Sequence, residues 1–156
     1  MPPESLRSVG ALSDQVRFRK DRDTSPMGDE VAETAGRWLA ALERGDPAPE
    51  MCDPDVVITN WAESPIPGPY VGLDGVRRWW NDMTEVVDNG RFKICEIEQI
   101  DDRRALSTQR LIGTFRASGI EFDFLWGSVI SVRDGKILSA TGYISPEAAR
   151  EAAGLE

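Results

Sequence analysis

The spacing of the apolar residues changes once along this chain of 156 residues, and that change constrains the fold more than any other feature. Before Asn89-Gly90 the two long apolar stripes recur about every 3.6 residues, as in amphipathic helices, and after it the apolar residues recur about every second residue, as in strands. The connections after the change are short and turn-like, which predicts an antiparallel meander. The four predicted strands cover residues 91–100, 104–117, 120–133 and 136–144.

Two long helices are predicted before the meander. The first begins at Ser25-Pro26, where a capping residue precedes a proline, and ends at Gly45. Its apolar stripe comprises Val31, Ala35, Trp38, Leu39 and Leu42. The second helix follows the loop ESPIPGPYVG, and its stripe comprises Val76, Trp79, Trp80, Met83 and Val87. A strand over 56–61 lies between the helices, and a short Ser-Pro helix ends the sequence.

This order of elements predicts an α+β domain, with helices packed on the concave face of a cone-shaped, curved antiparallel sheet. Residues 1–24 are polar and lack a sustained period, so we interpret them as a flexible N-terminal tail, with Met27 as an alternative start. Residues 25–156 then form a single domain, which has the usual size for one core and one pocket.

Charge and composition exclude several classes of function. The net charge of −9 would repel a phosphate backbone, so nucleic acid is not an expected partner. No apolar run approaches the length of a membrane helix, and we expect a cytoplasmic protein without a membrane partner. The chain contains no histidine, which removes Ser-His-Asp triads and most transition-metal sites. Cys52 and Cys95 are therefore predicted to be reduced buried thiols, and neither a metal nor a cofactor is expected.

Several motifs, in this order and spacing, resemble the SnoaL-like branch of the nuclear transport factor 2-like superfamily over residues 29–154. They are Arg44-Gly45-Asp46, Asp55-Val56-Val57, the helix opening Gly72-Leu73-Asp74-Gly75-Val76-Arg77, the strand pair around Val132-Arg133-Asp134-Gly135-Lys136-Ile137, and Tyr143. The superfamily includes ketosteroid isomerase, limonene epoxide hydrolase, scytalone dehydratase, polyketide cyclases and binding proteins. The resemblance thus implies the cone-shaped fold and commonly a homodimer, but it leaves the reaction open.

In such a cone, alternate residues of the strands face the pocket together with the helical stripes. An aromatic-rich cavity with few polar groups suits a flat, mostly hydrophobic ligand. The predicted substrate-binding residues are Trp38, Leu42, Ile58, Trp79, Met83, Thr108, Ile112, Phe124, Trp126 and Ser128.

Arg110, Asn60 and Glu96 are the predicted catalytic residues. If Arg110 points inward, its buried guanidinium needs a carboxylate or a ligand oxyanion, and Glu96 or Glu98 on the preceding strand is the candidate partner. The alternative is an arginine paired at the surface or at a dimer seam. Asn60 either holds a water or a carbonyl oxygen in the pocket, or caps the loop ESPIPGPY through its side chain.

The known chemistries of the superfamily fit only in part. In ketosteroid isomerase the base position corresponds to Asn60, and an amide cannot accept a proton near neutral pH. In limonene epoxide hydrolase the arginine corresponds to Arg110 and the asparagine to Asn60, but the two aspartate positions correspond to Ile112 and Gly142. The arginine and the asparagine of this water-activating site would thus be present, but the aspartate that acts as its base would not.

Two hypotheses follow. The first is a cofactor-independent enzyme that acts on a hydrophobic polyketide-, terpenoid- or steroid-like substrate by cyclisation, isomerisation, dehydration or hydrolysis. The second is a binding protein that has kept the pocket and lost the acid-base pair. A carboxylate within hydrogen-bond reach of Arg110 or Asn60 inside the cavity would favour the enzyme.

Overall fold

The computed structural model describes residues 17–19 and 29–155. Three α-helices are described, α1 (Asp29–Glu43), α2 (Gly72–Val86) and α3 (Pro146–Ala152). A 3₁₀ turn at Pro49–Met51 precedes the second strand. The strands are β1 (Arg17–Arg19), β2 (Cys52–Thr59), β3 (Tyr70–Val71), β4 (Val87–Gln99), β5 (Arg104–Phe115), β6 (Glu121–Arg133) and β7 (Lys136–Tyr143).

These strands form one open sheet in the order β1-β4-β5-β6-β7-β2-β3. The meander from β4 to β7 is antiparallel, as predicted. The strands that flank this meander pair with it in parallel orientation, β1 with β4 and β2 with β7. The sheet is therefore mixed, and its antiparallel part lies at the centre.

The predicted apolar stripe of α1 is buried against this sheet, with Ala35 fully buried and Trp38, Leu39 and Leu42 each 2% exposed. Two long-range hydrogen bonds hold the helix to β4. The backbone N–H of Ala32 donates to Gln99 Oε1 at 2.9 Å, and that of Ile94 donates to Glu43 Oε2 at 2.7 Å. Both ends of α1 are thus attached to one strand, which fixes the helix across the concave face.

The terminal helix α3 starts where Ser145-Pro146 predicts, and Ser145 Oγ accepts the N–H of Ala148 at 3.1 Å. It packs against Gly127, where a Cβ atom would approach that of Ala149 to 2.7 Å. Gly127 alternates along β6 with Trp126 and Ser128, which face the concave side. The helix α3 therefore lies on the opposite face of the sheet from the other two helices.

The α+β fold class is confirmed, and the strand boundaries agree with the prediction to within a few residues. Asn89-Gly90, after which the strand period is predicted to begin, lies within β4 at an irregularity where the register with β5 shifts. Within the predicted tail, Arg17–Arg19 form a strand. The rest of that segment, the helix start at Ser25-Pro26 and Met27 lie outside the described residues. None of the helices in the described part of the chain is long and apolar enough to cross a membrane.

Candidate binding cavity

An apolar cavity opens between α2, the loop after β2 and the concave face of the sheet at β5 and β6. It has a volume of about 590 Å³ including its open mouth. Its lining comprises Asn60, Trp61, Ser64, Pro65, Ile66, Trp79, Met83, Val86, Val87, Leu111, Phe115, Phe122, Phe124 and Trp126. We call it the outer cavity. Its walls are aromatic and aliphatic almost throughout, and no side chain in this lining is ionisable.

The aromatic wall of the outer cavity is built by contacts between rings. Trp61 stands nearly perpendicular to Phe124, with ring centroids 6.3 Å apart, and lies 6.2 Å from Trp126. Phe122 packs against Phe115 at 4.5 Å. Edge-to-face and tilted rings at these distances attract each other, so the wall is held in shape without a ligand.

The loop that carries Trp61 is held by hydrogen bonds from Asn60. Its backbone N–H donates to the carbonyl of Pro67 at 2.9 Å, and its Nδ2 donates to the carbonyl of Ile66 at 3.0 Å. Asn60 thus caps the loop, as one of its two predicted roles requires, and also lines the cavity. Its Oδ1 reaches over Gly142, where a Cβ atom would collide with it and would approach the Trp126 ring to 2.8 Å.

A smaller inner cavity adjoins the outer one and shares Asn60, Trp79 and Trp126 with it. Its other lining residues are Trp38, Leu39, Leu42, Ile58, Phe92, Gln109, Ser128, Ala140 and Gly142. The indole N–H of Trp38 donates to the carbonyl of Pro47 at 3.0 Å, so this tryptophan has a partner within the protein. The inner cavity is the more polar of the two because Gln109 and Ser128 face it.

Gln109 belongs to a buried cluster with two serines. Its Nε2 donates to Ser107 Oγ and, at 3.1 Å, to Ser128 Oγ. The two hydroxyl oxygens are 2.6 Å apart. Gln109 and Ser107 are fully buried, and Ser128 is 4% exposed. Two buried side-chain atoms, the Oε1 of Gln109 and the Nε1 of Trp126, have no hydrogen-bond partner among the residues that the structure describes.

The predicted orientation of β5 is wrong by one residue. In the β5–β6 pair, each odd-numbered residue of β5 is opposite an even-numbered residue of β6, as in Gln109–Trp126, and each even-numbered residue is opposite an odd-numbered one, as in Arg110–Leu125. Directly opposed residues share a face, and Trp126 faces the cavities. Thr108, Arg110 and Ile112 therefore lie on the outer face of the sheet, away from both cavities, and Gln109 and Leu111 take the inward positions.

Arg110 consequently has a partner other than the predicted one. Its Nε and one terminal nitrogen contact the two carboxylate oxygens of Asp123 at 2.7 and 2.9 Å. Both side chains are about one-third exposed or less. The hydrogen bonds to Asp123 raise the pKa of the guanidinium above its ordinary value, although burial opposes them. This surface pair is the alternative that the sequence left open.

Glu96 and Glu98 also lie on the outer face. Glu96 is opposite Thr108 and Glu98 is opposite Leu106, and both partners are even-numbered residues of β5. Glu98 accepts a hydrogen bond from Arg150 of α3 at 2.6 Å. The predicted catalytic group of Arg110, Asn60 and Glu96 is therefore divided between two faces, and only Asn60 faces the cavities.

The remaining predicted binding residues lie together. Trp38, Leu42, Ile58, Trp79, Met83, Phe124, Trp126 and Ser128 each line one or both of the cavities. Sequence reasoning missed Trp61, Gln109 and Leu111. Trp61 is predicted to end a strand over 56–61, on the face opposite Asn60, but β2 ends at Thr59 and Trp61 lies in the loop beyond it. The predicted strands 104–117 and 120–133 leave a two-residue turn at Ser118-Gly119. Such a turn pairs odd-numbered residues of the first strand with even-numbered residues of the second, so it could have placed Gln109 and Leu111 on the face of the inward aromatic residues of β6.

An open mixed sheet with two helices across its concave face and an aromatic cavity beneath them defines the nuclear transport factor 2-like class of α+β domains. Within that class, the model of the SnoaL-like domain matches residues 35–140. The chain belongs to the SnoaL-like domain family, and the resemblance inferred from the sequence is confirmed. Comparison with the curated proteins gives no significant match.

Solved structures show the same fold. A nuclear transport factor 2-like protein from Burkholderia thailandensis has a TM-score of 0.65 and 24% identity, covering 85% of this chain and 100% of that one. TerC, co-crystallised with polyporic acid, has a TM-score of 0.64 and 15% identity, covering 80% and 98%. A Bacillus cereus protein provisionally described as a polyketide cyclase has a TM-score of 0.63 and 18% identity, covering 89% and 91%.

Proposed function

We propose that this protein binds a small, flat, largely apolar organic molecule in the outer cavity. The observation that carries this proposal is the composition of the lining, in which six aromatic residues surround an open space and the polar groups are an amide and a hydroxyl. Burial of an aromatic ligand against such walls is favourable by roughly 25 cal/mol per Å² of apolar surface removed from water. Few polar groups need to be matched, so shape dominates selection.

Binding is favoured over acid-base catalysis because the cavities lack the groups for proton transfer. Among the described residues, neither lining contains a carboxylate, a lysine or an arginine. Arg110 and Glu96, which the enzymatic hypothesis required, face the other side of the sheet. An amide such as Asn60 can orient a carbonyl oxygen but cannot accept a proton near neutral pH.

An enzyme acting on a polyketide-, terpenoid- or steroid-like substrate is the second candidate. The position of Asn60 between the two cavities favours it, because there its amide could orient a reacting carbonyl. TerC with polyporic acid and the Bacillus cereus protein with its cyclase description also support ligand binding or chemistry in this fold. Such an enzyme would act by positioning its substrate. Product formation that is lost in Asn60→Asp or Asn60→Ala would favour this candidate.

The binding proposal is tested by calorimetric titration with naphthalene as a minimal flat apolar probe. Phe124→Ala removes one aromatic wall of the outer cavity, and we expect affinity to fall by roughly fivefold or more, given the contact area of an aromatic side chain. Leu125→Ala is the matched control, since Leu125 is the next residue along β6, faces outward and is 47% exposed. Equal affinities for the two variants, or no binding to the unmodified protein, would contradict the proposal.

A homodimer is the assembly that we propose for the protein. The exposed Leu125 offers an apolar contact on the outer face beside the Arg110–Asp123 pair. Sedimentation equilibrium tests the assembly, and Leu125→Asp should weaken it if this face is the interface. A monomer at micromolar concentration would contradict the proposal.

A further inference from the structure

Two buried polar atoms of opposite hydrogen-bonding character belong to neighbouring residues that both line the inner cavity. Gln109 and Trp126 are directly opposed across the antiparallel pair β5–β6, so their Cβ atoms are roughly 5 Å apart on the same face. Gln109 Oε1 is an acceptor, Trp126 Nε1 is a donor, and neither has a partner among the described residues. An unmatched buried polar group costs roughly 1–3 kcal/mol, so two neighbouring ones need an explanation.

The amide of Gln109 is held so that its oxygen stays available. Its nitrogen lies within hydrogen-bond distance of both Ser107 Oγ and Ser128 Oγ and donates toward this pair. The two serine hydroxyls are also within hydrogen-bond distance of each other. These contacts hold the amide at its nitrogen end, and they leave Oε1 without a partner among the described residues, in a side chain that lines the inner cavity.

The indole of Trp126 is held with its nitrogen away from β7. Its Cζ3 atom lies over Gly142 of β7, close to the position that a Cβ atom there would occupy. The nitrogen is on the opposite edge of the ring system, and Gln109 is the residue directly opposite Trp126 on the other neighbouring strand, β5. Contacts with Trp61 and Phe92, each at 6.2 Å between centroids, keep the ring in this position.

The size of the inner cavity limits what can satisfy these atoms. The space there accommodates about one water-sized group, whereas the adjoining outer cavity is larger and apolar. Trp126, Trp79 and Asn60 line both cavities, so a molecule in the outer one can extend a single substituent past them. A hydroxyl group donates to Gln109 Oε1 and accepts from Trp126 Nε1. A ketone or an ether only accepts, and an ammonium group finds no counter-charge in the described lining.

We propose that the ligand is an aromatic or polycyclic alcohol or phenol whose hydroxyl group enters the inner cavity and bridges Gln109 Oε1 and Trp126 Nε1. This inference rests on the proposed binding function and names the chemical class of its ligand. The apolar body provides most of the affinity in the outer cavity. The hydroxyl provides the selectivity, because an analogue without it leaves both protein atoms unmatched.

The experiment compares 2-naphthol, 2-methoxynaphthalene and naphthalene by calorimetric titration. We expect 2-naphthol to bind roughly tenfold more tightly than either analogue, which corresponds to the loss of one well-matched buried hydrogen-bonding group. Gln109→Leu and Trp126→Phe should each reduce this preference to about twofold or less. Gln109 does not line the outer cavity, so Gln109→Leu should still bind naphthalene as the unmodified protein does. Thr108→Val is the matched control on the outer face and should retain the full preference.

The outcomes separate this inference from the binding function. If none of the three compounds binds, the proposed function fails. If all three bind equally to the unmodified protein, a water molecule satisfies the two atoms and the inference is overturned while the binding function stands. A tenfold preference that survives in either Gln109→Leu or Trp126→Phe would also overturn it. Thermal unfolding of each variant establishes that it is folded, and either variant alone suffices for the test.

Discussion

The guanidinium of Arg110 and the carboxylate of Asp123 form a two-pronged ion pair across β5 and β6, with contacts of 2.7 and 2.9 Å on the outer face of the sheet. This pair satisfies the arginine without any group from the cavities. It also keeps the guanidinium group on the face of the sheet opposite the two cavities.

Arg110→Ala should therefore leave the affinity for naphthalene and for 2-naphthol unchanged within a factor of about two, since the side chain contacts neither cavity. The pair is partly exposed, so its loss should lower the free energy of unfolding by only about 0.5–1 kcal/mol. Calorimetric titration and urea unfolding measure the two effects. A large loss of affinity would show that Arg110 contributes to the site after all.

Two adjacent residues of β5 test the orientation of this strand. Leu111 lines the outer cavity, whereas Ile112 is 2% exposed on the other face. Leu111→Ala should weaken naphthalene binding by roughly 3- to 10-fold, because apolar contact with the ligand is lost. Ile112→Ala should lower the free energy of unfolding by about 2–5 kcal/mol and leave the affinity unchanged. The reverse pattern in the titrations would mean that the register of β5 is different.

Gly142 provides the space that Asn60 and Trp126 occupy. Gly142→Ala places a methyl group against Asn60 Oδ1 and the Trp126 ring, and should lower the free energy of unfolding by about 1–3 kcal/mol. Asn60→Ala in the same chain removes one collision. The double variant should therefore be more stable than the sum of the two single effects predicts. Strict additivity in urea unfolding would contradict the contact, and Thr141→Ala is the neighbouring control.

The thiol of Cys52 should be unreactive in the folded protein. Burial, aided by the negative charge of Glu50, raises its pKa from 9.0 to about 12. At pH 8 iodoacetamide should modify Cys95, which is half-buried, well before Cys52, and both should react in urea. Peptide mass spectrometry measures the modification at each site. Faster reaction at Cys52 in the native protein would contradict its burial.

The same pKa shift has a consequence for stability at high pH. The folded-state pKa is the higher one, so the unfolded chain loses the proton first, near pH 9. The stabilising contribution is complete below that pH and decreases as the pH rises toward about 12. In Cys52→Ala the free energy of unfolding, measured with urea, should fall less between pH 9 and pH 12 than in the unmodified protein. Its value at neutral pH will be lower, because the substitution leaves a cavity.

The order of elements and most of the buried residues followed from the sequence because they depend on local periodicity. The stripe of α1 and the inward aromatic residues of β6 each present one apolar face, and only one side of such an element can be buried. The Ser145-Pro146 helix start is equally local, since the capping oxygen and its N–H partner are three residues apart. These features depend little on the neighbouring elements.

The tertiary structure alone decided which face of β5 looks into the cavities, where α3 packs and what Arg110 contacts. The strand β5 has apolar residues on both faces, Leu111 toward the cavity and the buried Leu106 and Ile112 away from it. Alternation divides such a strand into two sets but cannot say which set is inside. That choice is made by the hydrogen-bond register with β6, and a shift of one residue exchanges Gln109 for Arg110 at the wall of the site.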